Sequence, residues 1–64
     1  MRDPNRVDGY CDRLKAIWKS APDLRFGQLM IGLIKIYQSE HKSDPFFTED
    51  EEFFRWMEAY IRNK

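Results

Sequence analysis

"PDLRFGQLMIGLIKIYQ", Pro22 to Gln38, is the stretch that decides the fold of this chain. Between Leu29 and Tyr37, seven of nine residues are apolar, and they do not keep to one side of a helix. Leu29, Leu33, Ile36 and Tyr37 form one face; Met30, Ile34 and Tyr37 form an adjoining one; Ile31 lies off both. A helix apolar nearly all round is a buried helix. A bilayer span takes about 20 apolar residues, so the segment reads as the middle helix of a small domain, touched on two sides. The abundant isoleucine also suits a strand, but no second strand-like segment exists to pair with it, and a lone strand is not a sheet.

The flanking sequence supplies two more helices and their punctuation. Asp3 is a good N-cap and Pro4 a good first helical residue. Val7, Tyr10, Cys11, Leu14, Ile17, Trp18 and Ala21 then follow at helical spacing. Asp8, Asp12, Arg13, Lys15 and Lys19 charge the opposite side. Pro22 ends this helix, because the residue before proline is pushed out of the α region. Asp23 is the expected cap of the second helix, with Leu24 and Phe26 turned inward. After "SEHKSDPFF", Asp44-Pro45 signals a turn, and Phe46 and Phe47 suit a hydrophobic staple. "TEDE" opens the third helix, with Thr48 and Glu51 as a capping box and Glu49, Asp50, Glu51 and Glu52 at the positive end of the helix dipole. Phe53, Phe54, Met57, Tyr60 and Ile61 make its inward face, with Trp56 at the margin. The expectation is an all-α, compact three-helix domain spanning 1–64, with helices over about 4–21, 24–39 and 49–63 and an apolar central helix.

A 64-residue chain buries only roughly 60% of its unfolded surface, so it needs dense packing, a staple or a partner. Cys11 is the only cysteine and His41 the only histidine, which excludes an intrachain disulfide and a closed Cys/His zinc site. No cofactor is expected. There is no basic-then-apolar leader and no run of eighteen apolar residues, so a cytoplasmic protein with no membrane role is expected. The 11 basic and 11 acidic side chains cancel but are unevenly placed. Residues 1–35 hold seven basic and four acidic groups, a net +3; residues 36–64 hold four and seven, a net −3.

Taken together, "MRDPNRV", "IW", "PDLRFGQL" and "DPFFTEDEEF" resemble a family of short bacterial and prophage-type proteins with the frame MRDPxRI, IWxxxPDLRxGQL, DPFxxED. The match spans most of the chain. The resemblance implies a small cytoplasmic protein, often carried on mobile elements, and brings no catalytic residues to transfer. By analogy with that class, it implies a protein that binds and blocks a larger host machine, such as a CRISPR–Cas enzyme.

Three groups of residues are candidates for contact with a partner. Asp44, Glu49, Asp50, Glu51 and Glu52 form an acidic patch suited to a basic cleft, although helix capping alone also accounts for the run. Met30 and Ile31, beside Gly27 and Gly32, form a candidate apolar interface, in which the glycines allow close helix approach within the chain or across a dimer. Arg25 is a candidate anchor, or pairs with Asp23 or a carboxylate of the third helix. Cys11 reads as a small buried hydrophobe. Trp18, Trp56 and Tyr60 read as core or core margin. His41 has no nucleophile at a suggestive spacing.

These residues predict no enzyme and no small-molecule substrate. They predict a non-enzymatic protein-binding module, with a host protein or a second copy as partner. The best specific version is a phage or mobile-element inhibitor acting by occlusion, anti-CRISPR-like. The alternatives are a self-associating structural protein, or a small nucleic-acid-binding regulator using Arg2, Arg6, Arg13, Lys15 and Lys19 of the first helix. Nucleic acid is the weaker partner, because the second helix is apolar and the third is acidic where base contacts normally arise.

Overall fold

A computed structural model describes residues 2–63; Met1 and Lys64 lie outside the described residues. Three α-helices follow one another: α1 (Arg6–Lys19), α2 (Phe26–His41) and α3 (Asp50–Arg62), with a 3-10 turn at Pro45–Phe47 before α3. No strand occurs among the described residues. The all-α three-helix expectation holds, and each helix end moves by one or two residues.

Those shifts have local causes. Asp3 is not the N-cap of α1, nor is Pro4 its first residue: the N-cap is Asn5, without a side-chain bond, and Asp3 Oδ1 instead accepts the Asn5 N–H at 2.9 Å in the turn ahead of the helix. The next bonds, Arg6 N–H to Asp3 O and Val7 N–H to Pro4 O, both at 3.2 Å, run three residues back, so the chain enters through a tight 3-10 turn. At the other end, Ala21 N–H bonds Trp18 O at 3.0 Å, closing the helix before Pro22. Asp23 does not cap α2. The N-cap is Arg25, whose N–H donates to Gln28 Oε1 at 2.8 Å. That is half of a capping box; a guanidinium has no acceptor to supply the other half. α2 runs on to His41, which stacks on Tyr37 at 4.2 Å between ring centroids. It stops at Lys42, whose left-handed backbone (φ 54°, ψ 32°) returns an N–H to Gln38 O at 2.8 Å.

The capping box expected from Thr48 and Glu51 is absent. The Thr48 hydroxyl lies 2.7 Å from the Tyr37 hydroxyl, Glu51 is held by Arg13, and Glu49 is the N-cap without a side-chain bond. The staple is absent as well, because Phe46 and Phe47 point to solvent.

The core is small. Ile17, Leu29, Leu33, Tyr37 and Met57 are its buried side chains. α2 supplies three of the five, in keeping with its composition, and Met57 of α3 is the most enclosed, at 1% exposure. Tyr37 meets Phe53 and Trp56 edge-on at 5.2 Å each. Trp56 stacks on Tyr60 at 5.5 Å, and its indole N–H donates to Glu40 Oε1 at 2.9 Å. Such aromatic pairs add to burial alone. α1 packs along α3. The outer side of α2 stays open: Ile31 is 58% exposed. The radius of gyration, 12.0 Å, exceeds the value of about 11 Å expected for a globule of this length, consistent with so few enclosed side chains.

Candidate functional site

The uneven charge of the two halves is resolved between α1 and α3. Arg2 pairs with Glu49 at 3.2 Å, Arg6 with Asp50 at 3.0 Å, and Arg13 with Glu51 at 2.8 Å. Arg13 also grips Glu58 in a two-pronged bond, Nε to Oε2 at 2.9 Å and Nη2 to Oε1 at 2.8 Å. This planar fork is the strongest side-chain ion-pair geometry available. The guanidinium carbon lies 5.4 Å from the Tyr10 ring centroid and 5.3 Å from that of Phe54, and the two rings stack at 4.8 Å. Arg55 approaches Glu51 from within α3 at 2.9 Å.

Acidities respond accordingly. The hydrogen bonds from Arg13 hold the Glu58 carboxyl below the ordinary carboxylate range. They do the same for Glu51, helped by Arg55. The same bonds raise Arg13 above its ordinary value. Burial, and then the Glu51 carboxylate, raise the Tyr10 phenol.

Most of the acidic patch is therefore already engaged within the molecule. Glu49, Asp50 and Glu51 face arginines. Asp44 caps the 3-10 turn through Oδ1, which accepts the Phe46 N–H at 2.9 Å. Glu52 is exposed and makes no ion pair among the described residues. On α1 and its N-terminal approach the same bonds engage Arg2, Arg6 and Arg13, leaving Lys15 and Lys19 on the exposed side.

The apolar candidates do not form one patch. Met30 is half-buried against the core, Ile31 is exposed and Gly27 is exposed. Gly32, five residues on, is turned about 140° round the helix from Gly27. It lines a different groove of about 420 Å³ with Leu24, Ile36, Tyr60 and Ile61. A Cβ added at either glycine meets nothing within 4 Å, so neither serves close helix packing inside the chain. Arg25 is exposed and pairs with neither Asp23 nor α3 among the described residues. Cys11, expected to be buried, is exposed. Trp18 stands apart from Trp56 and Tyr60, half-stacked on Phe26 at 5.3 Å.

The sequence reading missed the most conspicuous surface feature. Phe46 and Phe47 are 82% and 79% exposed, and their rings meet edge-on at 5.0 Å. The turn that carries them is fixed. Asp44 caps Phe46, Phe47 N–H bonds Asp44 O at 3.0 Å, and Thr48 N–H bonds Pro45 O at 3.0 Å. Thr48 in turn bonds Tyr37, a core residue, and the proline ring locks one backbone dihedral. The signal was present in "DPFF": a proline-started turn too short to direct two adjacent rings to one interior.

Among the described residues no group of His, Cys, Asp and Glu side chains could hold a metal ion, and no helix is long and apolar enough to cross a membrane. Comparison of the chain with protein-family models, with curated proteins and with solved structures finds no match in any of the three.

Proposed function

We propose that this chain is a non-enzymatic protein-binding module whose contact point is the Phe46–Phe47 turn. The observation that carries this reading is the exposure of two adjacent phenylalanines, 82% and 79%, on a turn tied to the core by hydrogen bonds. Burying one such ring in a partner gains about 1.5–3 kcal/mol. A turn already held in place loses little conformational freedom on binding, which favours affinity. The partner that suits it is a larger protein with an apolar pocket two rings wide. The resemblance to short mobile-element proteins supports a host protein as that partner, with inhibition by occlusion, and a defence enzyme such as a CRISPR–Cas component as the target class.

The test is affinity capture from a lysate of the natural bacterial host, comparing the tagged protein with a Phe46→Asp/Phe47→Asp variant by mass spectrometry. The expected result is a defined host protein held by the first and lost by the second. Equal capture by both, or no specific capture, overturns the reading. A captured protein unrelated to defence or nucleic-acid processing removes the finer assignment alone.

A further inference from the structure

Beside the strip that packs on α3, α1 carries a second apolar strip: Val7, Cys11, Leu14 and Trp18. The spacing of 4, 3 and 4 residues is the rhythm of a coiled-coil seam. The strip is open along its length: Val7 is 48% and Trp18 37% exposed, Cys11 is exposed and Leu14 half-buried. Two shallow grooves, of about 160 and 420 Å³, meet at Cys11 and Leu14, so the strip floors one channel with Phe26 standing at its far end. From Val7 to Trp18 the channel is about 16 Å long, three helical turns.

The charges on the outer edge of this strip say what covers it. Asp8 and Asp12 flank its first half, and Lys15 and Lys19 its second. Among the described residues none of the four pairs with another helix. A contact of Lys15 with Asp12 at 4.0 Å joins exposed neighbours on the same helix and is weak. We propose that the occupant is a second copy of this chain, bound antiparallel through α1. A two-fold axis near Asp12 and Arg13 sets Val7 against the partner's Trp18 and Cys11 against the partner's Leu14. The same operation lays the acidic half of each edge beside the basic half of the other, and symmetry repeats the match. A parallel two-fold carries the two charged edges to opposite sides of the seam, where they make no match. This surface is distinct from the Phe46–Phe47 turn, and the proposal does not depend on the function assigned to that turn.

Sedimentation equilibrium on four proteins tests the proposal. The wild-type chain is expected to show a reversible dimer. Asp8→Lys/Asp12→Lys makes the edge wholly basic and Lys15→Glu/Lys19→Glu makes it wholly acidic; each alone is expected to self-associate at least about tenfold more weakly, since like charges oppose. Mixed in equal amounts, the two are expected to form a heterodimer of near wild-type strength. Val7→Glu, with its helical circular dichroism retained, is expected to be monomeric. A wild-type chain that stays monomeric at millimolar concentration overturns the proposal. So do charge-reversed variants that dimerise like wild type, a mixture that restores nothing, or a dimer that Phe46→Asp/Phe47→Asp abolishes.

Discussion

Arg13 is the residue on which the two charged halves of the chain converge. It binds Glu58 with two nitrogens and Glu51 with a third, and it is only 28% exposed at the side chain. Both carboxyls are held below the ordinary range. A depressed carboxyl contributes stability that is present above its unfolded pKa and lost as pH falls through its folded value. The urea midpoint is therefore expected to fall as pH drops from about 5 towards 3, and to fall less steeply in Glu58→Gln. Equal slopes in the two proteins would mean that the clamp contributes nothing. At the same scale Met57, 1% exposed, has no room to be shortened without a cavity. Met57→Ala is expected to cost about 2–5 kcal/mol in chemical denaturation, whereas Ile31→Ala, on an open surface, changes stability by less than about 0.5 kcal/mol.

The helices themselves are held imperfectly, and the imperfections are measurable. Gly9 lies inside α1, where a Cβ would meet nothing within 4 Å. Gly9→Ala is expected to raise unfolding free energy by about 1 kcal/mol, and a loss on urea titration would show a hidden role for that glycine. Lys42 holds a left-handed backbone at the end of α2; Lys42→Gly relieves up to about 1 kcal/mol there. Much of this scale was legible beforehand. Helical spacing of apolar residues, Pro22 and Asp44-Pro45 located all three helices. The ends were less legible, because caps depend on which side chains are free to reach the backbone. Thr48 is drawn to Tyr37 and Glu51 to Arg13, and both partners are remote in sequence.

Across the whole molecule, the charge split was legible as a +3 and a −3 half, yet its meaning was not. The pairing of Arg13 with Glu58 joins residues 45 apart, and only the packing of α1 on α3 brings them together. Likewise the apolar stripe of α1 is wider than the face that α3 and α2 cover. Sequence periodicity counts such residues as core, and the structure leaves Val7, Cys11 and Trp18 at the surface. Five buried side chains are a thin core for 64 residues, so association through α1 has a measurable consequence. The melting temperature is expected to rise with protein concentration, because a dimer stabilises by mass action, and an invariant midpoint contradicts that association.

A contact point at Phe46 and Phe47 requires that the two rings contribute little to folding. Urea unfolding of Phe46→Ser/Phe47→Ser beside the wild-type chain tests it most directly. The two unfolding free energies are expected to lie within about 0.5 kcal/mol of each other, the range of substitutions away from packed features. A loss of more than about 2 kcal/mol, the scale of a buried aromatic, would show that the two rings belong to the fold and are not held out for a partner.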